Sequence, residues 1–336
     1  MSSPTRSRTL DDPALTAITL QGRRLVAAGH AAELHATAVH SSQTRVVAGI
    51  TLLATILLTL GLVWPRLTAL VDLFALGGLA VDLDGGRSLS RWMWPRRPHR
   101  TLLLNPPRPT GPMPEHQVLV VIPDEAGRSA GVRRGLVLPI GLLTLGLPLL
   151  LAHPAWERAP EALLVLIGGG LVASAATALW PRRGEDPSVG LAFAERLTDL
   201  LHQGRGGGPL DRPHVTVAVI GGLDPWYDGL EILLLNHRPR LAPATTTLLV
   251  WSPSDGPVHA ILDEGLLQRS AAPPLLQRAA ELAHLPIQAH RVEATAARRA
   301  RRLGWRALAL AGGRGEHQKA AEAIRAVIDQ LRQGPR

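Results

Sequence analysis

The stretch VLVVIPDEAGRSAG (118–131) has the outline of a chemical site. Five apolar residues predict a buried strand, and a polar, glycine-containing turn follows at its carboxyl end. In open α/β sheets that edge is where ligands and metals gather. The strand runs into Pro123-Asp124-Glu125, so the only side chains there able to bind a cation or move a proton are carboxylates. Other chemistry-bearing residues offer less. His30, His35 and His40 recur every five residues, a spacing that shares no helix face and points to no metal site. GGRGEHQKA (312–320) has glycines and a lysine but lacks the GK[ST] ending of a phosphate loop. Asp72 stands inside an apolar run, where acids are often functional, although a headgroup-level position explains it equally. With 0 Cys, disulfides and thiolate metal sites are excluded.

The elements that must position these residues fall into two kinds. Four apolar runs, 46–64, 67–81, 135–152 and 162–180, contain no Arg or Lys. The first, third and fourth match the ~17–25 residues needed to cross a bilayer as helix. The second is shorter, but Pro65-Arg66 provides a turn that would make the first two a helical hairpin. LIGGGLVAS (166–174) offers small residues for close helix packing. Arginines concentrate in residues 1–45, 82–134 and just after the last run at Arg182 and Arg183. By the positive-inside bias, both termini and the long middle segment are expected on the cytoplasmic side of the inner (plasma) membrane. The formal net charge of +9 follows largely from that asymmetry. No nucleic-acid partner is expected, and the cluster RWMWPRRPHR (91–100) is placed against anionic headgroups of the lipid bilayer.

The rest of the chain alternates strands and helices. Strands are predicted at 117–122, 214–220, 245–251, 257–262, 287–293 and 306–312; helices at 187–203, 228–238, 273–284 and 317–332. This predicts an α/β fold, a mixed sheet flanked by helices. Strand 117–122 is separated from the later strands by the third and fourth runs, and only that same sheet could bury both its faces. The expected organisation is a partly helical cytoplasmic segment (1–45), a transmembrane hairpin (46–81) and the first part of the α/β domain (100–134). An inserted transmembrane hairpin (135–180) and the remainder of the domain (181–333) follow. That makes four transmembrane helices, two of them inserted into the domain.

This order of elements resembles the zinc aminopeptidases of peptidase family M-28, over about residues 100–332. Members of that family run strand, H-x-D and turn, then D-N-x-S-G opening a helix. A strand ending in E-E, a strand ending in Asp and a late His follow. VVIPDEAGRSAG is similar to the first element, with Pro123 at the His position and Glu125 at the Asp position. GEDPSVGLAFAERL resembles the second, with Asp186 at the bridging carboxylate. AVIGGLDPWYDGLEILLLNHR resembles the third: Leu223 falls on the general base, Asp224 on the adjacent ligand and Gly229 on the downstream glycine. Ser252 in LLVWSPSDG takes the place of the strand-ending Asp, and His317 matches the final His. Read from the residues alone, Asp186 caps the helix beginning at Pro187, Asp224-Pro225 is a turn pair, and His317 is a solvated residue near a helix start.

The resemblance implies a zinc-aminopeptidase-like fold with degenerate metal motifs. Proline donates nothing to a metal and leucine accepts no proton, so the two-zinc chemistry of the family is not expected here. Glu125, Asp186, Asp224 and His317 would be a vestigial or reduced metal set, with Pro123 and Ser252 at replaced ligand positions. The expected function is a catalytically inactive, membrane-anchored binding or scaffolding module for an unidentified protein partner, without a cofactor. One alternative is a membrane-bound metallopeptidase holding zinc or another divalent cation in the reduced site. The other is a small transporter component, for which the four spans and Asp72 speak.

Overall fold

The apolar run at 118–122 lies at the centre of a nine-stranded sheet. The computed structural model describes residues 13–27, 30–40, 43–83, 96–106, 116–123, 129–153, 155, 157–179, 187–203, 214–221, 228–265, 269–290, 295–313 and 315–333. Among these residues the strands are β1 (Ala32–His40), β2 (Arg96–Leu104), β3 (Gln117–Pro123), β4 (His214–Ile220) and β5 (Thr246–Ser252). Then come β6 (His259–Glu264), β7 (Ser270–Ala271), β8 (Ile287–His290) and β9 (Arg306–Ala311). Their order is β1-β2-β4-β3-β5-β9-β6-β7, with β8 also paired to β6.

Four strands, β4, β3, β5 and β9, form a parallel core. Each is a nearly continuous apolar run buried on both faces, as parallel strands under two helix layers must be. β3 lies between β4 and β5, with Val118 level with both Val215 and Thr247. The strand preceding the second hairpin therefore shares a sheet with those following it, as expected. On one face Val118, Val120 and Ile122 pack with α1 (Pro13–Ala27), α6 (Pro187–Gln203), α8 (Pro274–Leu282) and α10 (His317–Arg332). On the other, Leu119 and Val121 pack with α7 (Asp228–Asn236) and α9 (Ala296–Arg302).

Two helical hairpins interrupt this domain: α2 (Gln43–Leu60) with α3 (Pro65–Leu83), and α4 (Ser129–Ala152) with α5 (Ala159–Leu179). Together they form a separate four-helix bundle with its own clusters, around Ile50, Leu79 and Leu143 and around Leu58, Ala69 and Leu150. Its helices approach closely at glycines. A Cβ on Gly146 would collide with Leu58, and one on Gly170 with Thr55. Of the four expected spans, one meets the length and apolarity needed to cross a membrane among the described residues: Ala159–Thr177 in α5. The apolar parts of α2 and α4, Val47–Leu60 and Val137–Ala152, are shorter.

The first hairpin is as much an insertion as the second, which differs from the expected layout. Segment 1–45 contributes helix α1 and strand β1, and β1 pairs with β2 antiparallel from Ala32↔Leu104 to His40↔Arg96. β1 escapes sequence reading because its small residues blur the alternation. β2 begins with arginines and Pro98, which are poor strand signals. Pro98 is tolerated because only Leu102–Leu104 of β2 bond to β4, and among the described residues the earlier half of the strand has no partner on that side.

Candidate functional site at the carboxyl edge of the sheet

The parallel strands β4, β3, β5 and β9 end at Ile220, Pro123, Ser252 and Ala311, side by side. β3 connects onward to β4 on one side of it, whereas β5 leads toward β9 on the other. The boundary between β3 and β5 is thus a point where the winding reverses, the usual crevice for ligands in such sheets. Of the positions singled out through the peptidase resemblance, those that the structure describes border this edge. Pro123 ends β3, Ser252 ends β5 and His317 opens α10. Glu125, Asp186, Asp224 and Leu223 lie outside the described residues. Asp186 directly precedes Pro187, the first residue of α6, and Leu223 and Asp224 lie between β4 and α7.

Local sequence explains the described geometry. Trp251 points into the α6/α10 layer, stacks on Phe193 with ring centroids 3.9 Å apart, and donates its indole N–H to the Gly312 carbonyl at 3.1 Å. The Gly312 amide in turn donates to the Ser252 carbonyl. Gly312 has φ +107, and a Cβ there would strike the Pro257 carbonyl, so only glycine lets the β9–α10 turn approach the β5–β6 connection. Gly229 meets a similar restriction, since a Cβ would strike the Gly221 carbonyl at the end of β4. The glycine matched to the family motif has a packing reason of its own.

His317 sits at the rim of this aromatic layer, its ring centroid 6.2 Å from Phe193 and 6.3 Å from Trp251. Its Nδ1 is buried and has no hydrogen-bond partner. Next to it, Gln318 accepts a hydrogen bond from Arg196, which ties the start of α10 to the middle of α6. Among the described residues no group of three or more His, Cys, Asp or Glu side chains is placed to hold a metal. Pro123 has no donor atom, and His317 is the one imidazole or carboxylate of the expected set within the described residues. These residues do not fit a two-zinc centre.

The opposite edge carries two clusters that sequence reasoning missed. At the start of β1, Glu33 accepts from Arg240 at 3.0 Å and lies 3.1 Å from His35 Nε2. His35 meets His237 in a T-shaped contact with centroids 4.4 Å apart. Burial, then the neighbouring His35 and Arg240, hold the His237 imidazole below the ordinary histidine range; Glu33 pulls weakly the other way. The five-residue spacing of histidines hid this, because strand geometry puts Glu33 and His35 on one face. The second cluster is ionic. Glu264 binds Arg301 and the Thr295 hydroxyl at the start of α9, while Arg299 donates to Glu231 of α7 at 2.9 Å. Both are buried pairs that lock α9 to β6 and α7.

No protein-family model, curated protein or solved structure matches this chain. The likeness to the zinc aminopeptidases therefore stands on motif order alone.

Proposed function

We propose that the chain is an integral membrane protein whose α2–α5 bundle crosses the bilayer and holds a cytoplasmic α/β domain at its surface. That domain is a zinc-aminopeptidase-like binding or scaffolding module without peptidase turnover. The observation that carries the membrane reading is the inverted polarity of the bundle. Val165, Val172, Phe74, Leu73 and Leu67 are exposed, while Thr51, Thr55, Thr68, Ser174 and Asp72 are buried. In water this arrangement would expose a large apolar surface; in lipid it is the favourable one. The buried threonines bond to their own helix: Thr51 to the Val47 carbonyl at 2.8 Å, Thr55 to Thr51 at 2.9 Å. At 1.5 Å per residue, helices of 18, 19, 24 and 21 residues extend roughly 27–36 Å, comparable to the ~30 Å hydrocarbon core.

The binding-module reading is supported by the crevice at the β3/β5 boundary and by the residues the resemblance places there. Leu223 cannot take a proton from water, and Pro123 cannot hold a metal. An aminopeptidase assay on the purified full chain with added zinc tests it. No turnover above a metal-free control is expected; zinc-dependent turnover abolished by Asp186→Ala would overturn the reading. A reduced one-metal site remains the second reading, favoured by the orphaned Nδ1 of His317. It requires about one metal per chain in elemental analysis, reduced by His317→Ala.

A further inference from the structure

The two ends of the sheet are built differently. At one end β8 has four residues, β7 has two, and the register of β6 against β8 shifts between Ile261 and Asp263. Short, irregular edges resist pairing with other chains. At the other end β1 has nine residues, without Pro or Lys, and follows β2 in unbroken register from Ala32↔Leu104 to His40↔Arg96. Among the described residues no strand pairs with its outer side.

Which backbone groups face outward follows from one bond. The Asn105 amide donates to the Ala31 carbonyl at 2.7 Å, one step beyond the Ala32↔Leu104 pair. Hydrogen-bonded pairs alternate along an antiparallel ladder, so Glu33, His35 and Thr37 turn their N–H and C=O groups toward β2. Ala32, Leu34 and Ala36 turn theirs to the open side. A row of free donors and acceptors at a strand edge is a template for another strand.

The side chains flanking this edge differ on its two faces. On the α1 face Leu34 is exposed beside Gly22, and Val26, one turn further along α1, is 54% exposed. On the α7 face Glu33 lies 3.0 Å from Arg240 and 3.1 Å from His35. Arg238 is exposed in the same turn as Arg240 and has no carboxylate partner among the described residues. The balance of charge there is cationic. At the neighbouring His237 burial lowers the imidazole first, and His35 and Arg240 each act more strongly than the opposing Glu33.

We infer that the open edge of β1 takes up an extended segment of a partner protein as a tenth strand, acidic at alternate residues toward α7 and apolar toward α1. This rests on the reading of the domain as a binding module, and it names the surface and the chemistry of the partner. Geometry argues against a second copy of this chain. Two β1 strands paired about a two-fold axis run antiparallel, and each leads within three residues into α2. With both bundles in one bilayer, they could not leave the joint sheet at opposite ends.

The probe is a fluorescein-labelled peptide as long as β1, alternating Glu and Val, added to the full chain in phosphatidylcholine nanodiscs and read by anisotropy. Saturable binding is expected, weakened about tenfold or more when Lys replaces Glu. Two further peptides, N-methylated at the odd or at the even residues, each keep one edge intact; only one of them should bind. Ala36→Pro removes a donor on the open side and leaves the β1–β2 ladder whole, so it should cut binding about tenfold with the thermal melt unchanged. Arg238→Glu should weaken binding about fivefold. Equal binding of the two methylated peptides overturns the inference without recourse to any variant. A concentration-dependent dimer of the full chain that Ala36→Pro dissolves would make a second copy the occupant and also overturn it. Cleavage of the peptide, read by mass spectrometry, overturns the binding-module reading and the inference with it; a peptide left intact and unbound overturns the inference alone.

Discussion

In the sheet domain Leu119, Val120 and Leu249 are wholly buried, and buried charges come in pairs such as Glu264 with Arg301 and Glu231 with Arg299. The α2–α5 bundle buries apolar side chains such as Leu58 and Leu150 between its helices but exposes others such as Phe74, Val165 and Val172, and Asp72 is fully buried with neither oxygen hydrogen-bonded. The same chain thus follows two burial rules, split along the two hairpins. A fold shaped by water hides apolar surface and compensates each ion it buries. The bundle leaves many large apolar side chains outside and Asp72 uncompensated, the pattern that the proposed lipid contact would favour.

Four experiments break or sharpen that contrast. The largest effect should come from the domain's ion pairs. Arg301→Ala leaves Glu264 buried without its partner and should cost about 3–5 kcal/mol. Denaturant unfolding of the full chain in detergent, followed by its tryptophan fluorescence, measures it; a loss below about 1 kcal/mol would mean that Glu264 is solvated. Next is one substitution made in both regions. Val165→Asp on the bundle exterior should weaken membrane insertion by about 2.5–3.5 kcal/mol. Leu282→Asp, on the exposed side of α8, should stay within about 0.5 kcal/mol. Similar effects in membrane-fraction yield and thermal unfolding would erase the distinction between the regions.

Asp72→Leu should stabilise the bundle by about 1–3 kcal/mol, since it removes a buried polar group without a partner. Destabilisation in a thermal melt would mean that Asp72 has a counterpart in the folded bundle. The smallest effect concerns His237. Its imidazole is held below the ordinary value of about 6.5, so the unfolded chain takes up the proton more readily. The native contribution is fully present above that value and is lost as pH falls below it. His237→Gln should flatten the decline in stability between neutral and mildly acidic pH; an unchanged slope would exclude His237 as its source.

Much of the domain was legible. The buried runs 214–220 and 245–251 and the amphipathic segments 187–203 and 317–332 became strands and helices within a residue of expectation, because periodicity reports burial directly. Helix α9 was not, since AARRARR lacks an apolar stripe of large side chains and is buried through its small alanines and the ion pairs of Arg299 and Arg301. Of the candidate site, the strand ends at Pro123 and Ser252 and the helix start at His317 were placed at one edge by topology. The pairing of His35 with His237 joins residues 202 positions apart and leaves no local signal.

By itself, the sequence determined where apolar and polar runs alternate, and hence that an α/β layer structure is interrupted by two helical hairpins. Burial is written into each segment through its side-chain period. Only the tertiary structure decided that β1 and β2 extend the sheet and that the first hairpin, like the second, is inserted between its strands. Those are matters of register and strand order, set by pairing between distant segments whose local patterns are compatible with several arrangements.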